Sequence, residues 1–164
     1  MNTRVNANGV DLNRNFPTKN WGANTNIEVT TLTPSPQPSP SRGEGADANT
    51  PVKNPYFGGN SPASEIETKF LIDVIEEYKP SVILTLHAPY KVVNYDGPAR
   101  EIAQKISKII NYPVEESIGY PTPGSFGTWA GVERNIPVIT LELDEEIPVE
   151  QLIQPIFEIF DEVL

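Results

Sequence analysis

Apolar residues recur at helical spacing between Ile66 and Tyr78. Ser64 and Glu67 form a capping-box pattern just before this segment, and Pro80 follows it. A capping box satisfies backbone N–H groups at a helix start, and proline disfavours helix in the residue before it. The pattern therefore predicts a helix with one buried stripe, made of Ile66, Phe70, Leu71, Val74, Ile75 and Tyr78.

The charged residues of the same segment are interpreted as a solvated helix face rather than as an acidic site. They are Glu65, Glu67, Lys69, Asp73, Glu76 and Glu77. A second amphipathic helix is predicted over 102–110 and a third over 148–164. Pro155 lies inside the third and is expected to kink or split it, because proline removes a backbone hydrogen bond.

Two short apolar runs predict β-strands. Residues 81–87 are expected to form a central strand that ends in His87, and residues 136–143 a second buried strand with Glu142 near its end. A further short strand is predicted over 91–96. The segment 118–131 is rich in glycine and aromatic residues, and we expect a loop there rather than a core helix.

Composition limits the classes of function. With 164 residues the chain is long enough for one domain with a core. The net charge of -10 argues against nucleic acid as a partner, because phosphate binding needs clustered cations. The absence of cysteine excludes disulfides and thiolate metal sites. No apolar run reaches membrane-spanning length and no signal-peptide pattern is seen, so a cytoplasmic location is expected.

The segment 9–17 carries two asparagines, an aspartate and an arginine around a short apolar pair, and it ends at Pro17. A guanidinium beside an amide suits a carboxylate, because its planar donors can bind both oxygens. Asn13 and Arg14 are therefore candidate anchors for a substrate carboxylate. The alternative is a surface arginine paired with a nearby acidic side chain.

This segment, Gly-Val-Asp-Leu-Asn-Arg-Asn-Phe-Pro, resembles the substrate-anchoring motif of zinc carboxypeptidases of the carboxypeptidase A type. Its flanking residues are most similar to the bacterial branch that includes murein peptide amidases. The resemblance implies a three-layer α/β/α fold with a mixed, mostly parallel sheet. It also implies that Arg14 and Asn13 hold the free carboxylate of a peptide substrate, and that Arg4 polarises the scissile carbonyl.

Two further blocks agree with this resemblance. Leu-Thr-Leu-His at 84–87 resembles the block of the third zinc ligand, which implies a metal role for His87. From the residues alone, a structural histidine is the alternative. Tyr120 and Glu142 resemble the mobile substrate-capping tyrosine and the general base. Their alternatives are a packed loop tyrosine and a strand-end glutamate paired with an arginine. Thr128 falls where the family's side-chain pocket is tuned.

The resemblance covers 1–164 except a proline-rich, low-complexity segment at about 32–46, which we interpret as a loop insertion. It matches only the C-terminal part of a catalytic domain, so the chain is expected to be truncated at its N-terminus. A complementing N-terminal fragment is a candidate partner, because truncation would expose a sheet edge or face.

A catalytic zinc ion needs three protein ligands plus water. The family supplies two of them from a His-x-x-Glu motif, which this chain lacks because His87 is its only histidine. We therefore expect a metallocarboxypeptidase or peptide amidase lineage, with absent or very low activity in this chain. The alternative is an inactive fragment or a carboxylate-binding protein without metal.

Overall fold

The computed structural model describes residues 4–22, 56–116 and 122–163. The predicted insertion at 32–46 and Tyr120 both lie outside these ranges. Within them the regular elements are α1 (Ile66–Tyr78), β1 (Ile83–His87), β2 (Val92–Asp96), α2 (Arg100–Ile110), β3 (Val114–Glu115), β4 (Val138–Glu142) and α3 (Glu150–Glu162). A 3-10 turn spans Leu12–Arg14 and a π-helical turn spans Gly127–Val132.

The described strands form one mixed sheet in the order β1-β4-β2-β3. The pairings β1–β4 and β2–β3 are parallel, whereas β2–β4 is antiparallel. The sheet is therefore mostly parallel, as predicted. However, β1 is an edge strand of the described sheet, so the predicted central position is wrong there. Leu86 is 50% exposed, because no described strand or helix covers it.

Two apolar clusters pack on opposite faces of the sheet, because neighbouring residues of a strand point to opposite sides. Ile139 and Leu141 of β4 belong to a cluster with α2 and with Ile159 of α3. Val138 belongs to the other cluster, with Ile75 of α1 and Trp129 of the π-helical turn. The result is an α/β/α arrangement of three layers.

The buried stripe predicted for α1 is largely wrong. Ile66, Phe70 and Tyr78 are 78%, 67% and 73% exposed, and Leu71 is also exposed. Ile75 is the buried member of the predicted stripe, and the helix packs through it and through Ile72, which lies outside the stripe. The predicted capping box is also absent: Glu65 is the residue before the helix, and its side chain makes no capping hydrogen bond. Spacing identified the helix, but it could not identify which side meets the sheet.

The C-terminal part differs from the predictions at three points. The helix α3 continues through Pro155 and is not split. Of its predicted apolar face, Leu152 is buried, whereas Phe157 and Phe160 are more than half exposed. The predicted loop at 118–131 contains the π-helical turn, in which Trp129 is fully buried. No described helix has the length and apolar character that crossing a bilayer requires.

Candidate active site

His87 and Glu142 lie side by side at the carboxyl ends of β1 and β4. The parallel register pairs these two residues. Two residues earlier on each strand, the hydroxyls of Thr85 and Thr140 form a hydrogen bond of 3.1 Å. The Leu143 N–H donates to the His87 carbonyl at 2.8 Å and extends the pairing past the strand ends. His87 Nδ1 lies 3.9 Å from Glu142 Oε1. The two strands thus bring an imidazole and a carboxylate to one spot.

Glu142 is only 5% exposed. Burial raises the pKa of this carboxyl, while a backbone hydrogen bond from Tyr90 and the charge of Arg4 lower it in part. Its Oε2 atom is buried and accepts no hydrogen bond within the described chain. A carboxyl with a raised pKa and a free lone pair is suited to accept a proton near neutral pH.

The His87 side chain is 40% exposed and lies near the charged side chains of Arg4, Arg14 and Asp11. Burial lowers the pKa of the imidazole, and the charges of Arg4 and Arg14 lower it further, whereas Asp11 raises it. These four side chains therefore lie close enough to interact electrostatically. The imidazole is favoured in its neutral form, which is the form that can bind a metal or accept a hydrogen bond.

Asp11 organises the predicted anchor segment. Its Oδ1 accepts the Asn13 N–H at 3.0 Å and caps the 3-10 turn, and its Oδ2 binds Arg4 Nε at 2.7 Å. Arg14 is only 6% exposed, and its Nη1 donates to the Asn13 carbonyl at 2.6 Å. The alternative of an exposed surface arginine is therefore wrong for Arg14. The guanidinium groups of Arg4 and Arg14 both lie over the Tyr56 ring, at 4.9 and 5.7 Å from its centroid.

The anchor is locked to the segment that follows Tyr120 in sequence. The Phe126 N–H donates to Asn13 Oδ1 at 2.8 Å, and the Phe16 N–H donates to the Gly124 carbonyl at 2.9 Å. A Cβ on Gly124 would collide with the Arg14 carbonyl, so glycine is required for this close approach. Because the Asn13 oxygen is engaged, its NH₂ group is the part that can serve a ligand.

Thr128 belongs to the same segment. Ser125 Oγ donates to Thr128 Oγ1 at 2.9 Å and accepts the Thr128 N–H at 3.1 Å. The structure therefore brings Arg4, Asn13, Arg14, His87 and Glu142 into one region, with Thr128 joined to it through residues 122–126.

Asn15 is a structural residue of the site that the sequence analysis missed. It is fully buried, and its Nδ2 donates to Gly58, Ser61 and Ser64, while its Oδ1 accepts the Glu65 N–H. It thereby holds residues 58–65 against the anchor segment. The only available signal was a second asparagine in the motif, because its partners lie more than 40 residues away.

Glu65 is not part of a solvated face, contrary to the prediction, because only 6% of it is exposed. Its Oε2 accepts hydrogen bonds from Asn6 and Asn8 at 2.8 and 2.7 Å, and its Oε1 accepts one from Ser64 at 2.7 Å. This acid therefore attaches the start of α1 to the N-terminal segment.

The hydrogen bonds from Ser64, Asn6 and Asn8 lower the pKa of Glu65 below its usual 4.5. Its stabilising effect is therefore present above pH 4.5 and is lost as pH falls through the lower folded-state pKa. We expect the wild type to lose more unfolding free energy than Glu65→Gln between about pH 5 and about pH 3. Urea unfolding at each pH measures this, with Glu76→Gln as an exposed control; parallel pH curves would contradict it.

The donor set does not fit a complete zinc site. No group of three or more His, Cys, Asp or Glu side chains that could hold a metal occurs in the described ranges. The full sequence has one histidine and no cysteine, so only carboxylates could join His87 as ligands. A structural or catalytic zinc usually has several imidazole or thiolate ligands. His87 is thus a single candidate ligand and does not by itself make a metal centre.

Two proteins of known name are similar in sequence to this chain. Murein peptide amidase A of Vibrio campbellii is 36% identical over 145 residues, which are 87% of this chain and 51% of that protein. Murein peptide amidase A of Escherichia coli is 32% identical over 142 residues, 87% of this chain and 52% of that protein. The chain therefore spans about half the length of the curated relatives it matches.

Solved structures show the same relationship. The crystal structure of murein-tripeptide amidase from Escherichia coli O157 aligns with a TM-score of 0.62 at 30% identity, covering 90% of this chain and 54% of that one. Thrombin activatable fibrinolysis inhibitor aligns with a TM-score of 0.59 at 19% identity, covering 94% of this chain and 42% of that one, which shows a shared fold alone. The zinc carboxypeptidase profile matches residues 1–101. This chain therefore belongs to the zinc carboxypeptidase family, whose members are peptide hydrolases.

Proposed function

We propose that this chain supplies the substrate-anchoring and general-base part of a site that hydrolyses a C-terminal peptide or isopeptide bond. The substrate class is a peptide with a free C-terminal carboxylate, with a cell-wall peptide as the first candidate. The observation that carries the proposal is the pairing of His87 with Glu142 beside the buried Arg14. The names of the murein peptide amidases support the cell-wall substrate.

Each side chain has a role that follows from its chemistry. Arg14 and the NH₂ group of Asn13 hold the substrate carboxylate, because a guanidinium fork and an amide donor match its two oxygens. Arg4 steadies the negative charge that develops on the carbonyl oxygen. Glu142 takes the proton from the attacking water, for which its raised pKa is favourable. Tyr120 is assigned to cap the substrate, and it lies outside the described residues.

Zinc is the metal of the family, and His87 is the side chain that would ligate it. Since one histidine is a weak metal site, we infer that the chain by itself binds substrate peptides without appreciable turnover. A complementing N-terminal segment is the partner we propose for full activity. In the described sheet β1 is an edge strand, and Leu86 and Phe157 are exposed, which supports such a partner.

Zinc titration of the isolated chain, followed by a cleavage assay on free-carboxylate peptides, tests this proposal. We expect weak zinc binding and cleavage no faster than in buffer, because two of the usual ligands are missing. A matched His87→Gln variant shows whether any residual zinc binding depends on the imidazole. Tight one-to-one zinc binding accompanied by cleavage would contradict the inference of a missing ligand set.

A further inference from the structure

Thr18 is a buried threonine just after the anchor segment, and only 7% of it is exposed. Its hydroxyl oxygen accepts the Gly124 N–H at 3.0 Å, and the hydroxyl donates to Asn20 Oδ1 at 2.7 Å. The backbone of Thr18 is fixed as well, because its N–H donates to the Phe16 carbonyl and its carbonyl accepts the Trp21 N–H. The hydroxyl is therefore held in place and used both as donor and as acceptor.

Gly124 is held through both of its backbone polar groups. Its N–H donates to the Thr18 hydroxyl, and its carbonyl accepts the Phe16 N–H at 2.9 Å. Its φ of +73° is a conformation that favours glycine, and its Cα lies against the Arg14 carbonyl. Two hydrogen bonds thus set the position of Gly124 relative to the anchor, and Thr18 supplies the one that comes from a side chain.

The route from Gly124 to the anchor is short. Phe126, two residues later, donates its N–H to Asn13 Oδ1 at 2.8 Å. This bond fixes the rotation of the Asn13 amide, so that its NH₂ group faces a ligand carboxylate. An amide turned the other way would present its oxygen to the carboxylate and repel it. The Thr18 hydroxyl therefore lies at one end of a hydrogen-bonded route that ends at the amide donor.

We propose that Thr18 is a positioning residue, whose hydroxyl holds Gly124 and thereby keeps the Asn13 NH₂ group turned toward the substrate carboxylate. The proposal rests on the proposed function, because it needs a free-carboxylate peptide at Asn13 and Arg14. Thr18 acts through Asn13 and is assigned no contact with the substrate. Without the hydroxyl the buried Gly124 N–H loses its acceptor, so the segment 124–126 shifts and the amide is no longer held in one orientation.

Isothermal titration with an N-acetylated dipeptide that ends in a free carboxylate tests this. Thr18→Val removes the hydroxyl and keeps the shape of the side chain, and we expect it to weaken binding by about fivefold or more. Thr18→Ser keeps the hydroxyl and should bind within about twofold of the wild type. Ile106→Val also loses stability, but it changes the core on the opposite face of the sheet and should leave the affinity unchanged.

A double-mutant cycle with Asn13 separates positioning from a general loss of structure. Thr18→Val should change the affinity of the Asn13→Ala protein by less than about twofold. An equal loss in both backgrounds, an equal loss in Thr18→Ser, or wild-type affinity in Thr18→Val overturns the role of Thr18. If Arg14→Gln still weakens binding in that case, the anchor stands and only this inference falls. If the wild type does not bind the dipeptide, or if Arg14→Gln has no effect, both fall.

Amide hydrogen exchange of the wild type provides a test that does not depend on a folded variant. The anchor requires the Gly124 hydrogen bond, so the dipeptide should slow exchange of the Gly124 N–H more than that of the Ala103 N–H in α2. Exchange that the dipeptide slows equally at both amides, or at neither, contradicts the inference.

Discussion

Replacing Arg14 by glutamine is expected to weaken the binding of a free-carboxylate peptide by about 30-fold or more. Arg14 is buried beside Asn13, so a carboxylate bound there leaves water and depends on the guanidinium for its charge partner. Removing one member of a buried, hydrogen-bonded charge pair costs about 2 kcal/mol or more. Isothermal titration with an N-acetylated dipeptide measures the change.

Three controls test whether the bidentate interaction of the Arg14 guanidinium with the substrate carboxylate causes this effect. Arg14→Lys keeps the charge but loses the two-pronged geometry, and an intermediate affinity is expected. Arg100→Gln changes an exposed arginine on α2 and should have no effect. The C-terminally amidated form of the same dipeptide should bind weakly to the wild type and to Arg14→Gln alike. An affinity for the free acid that survives Arg14→Gln would show that the anchor is elsewhere.

Replacing Trp129 by alanine is expected to lower the free energy of unfolding by about 3–5 kcal/mol. The indole is fully buried, with the rings of Phe16 and Phe126 at 5.6 and 6.1 Å and the Arg134 guanidinium 3.8 Å from its centroid. Deleting it leaves a cavity in the cluster on the α1 face of the sheet, and a rigid core fills such a cavity only partly. Urea unfolding followed by circular dichroism gives the value.

The matched control for this change is Val132→Ala, because Val132 belongs to the same π-helical turn and is 63% exposed. It should alter stability by no more than about 0.5 kcal/mol. The Trp129→Ala protein should also bind the free-carboxylate peptide less tightly, since Phe126 supplies the N–H that orients Asn13. A loss of stability below about 1 kcal/mol would mean that the ring cluster is not a core.

The sequence was sufficient to locate the strand tips and the anchor. The apolar runs predicted at 81–87 and 136–143 contain the paired strands β1 and β4, because a short apolar run is a strong strand signal whether or not the strand is fully buried. The anchor motif was found because its polar residues could not belong to a plain buried strand. The predicted stripe of α1 is mostly exposed, however, since periodicity defines a face without saying what the face meets.

The contacts that organise the site could not be predicted from the sequence because they join distant segments. Asn15 forms hydrogen bonds with residues between 58 and 65, and Glu65 accepts hydrogen bonds from Asn6 and Asn8. Thr18 and Gly124 are 106 residues apart and meet only in the folded chain. Neither spacing nor composition carries this information, and the glycine-rich segment around Gly127 was predicted as a loop for the same reason.

Carbon–nitrogen correlated NMR of the imidazole tests most directly whether the strand tips and the anchor form one site. His87 is the only histidine, so its ring signals need no assignment. We predict that an N-acetylated dipeptide with a free carboxylate shifts these signals in a saturable way in the wild type, and not in Arg14→Gln. If the dipeptide saturates the protein by titration calorimetry while the His87 signals stay unmoved, the anchor and the strand tips do not share a site.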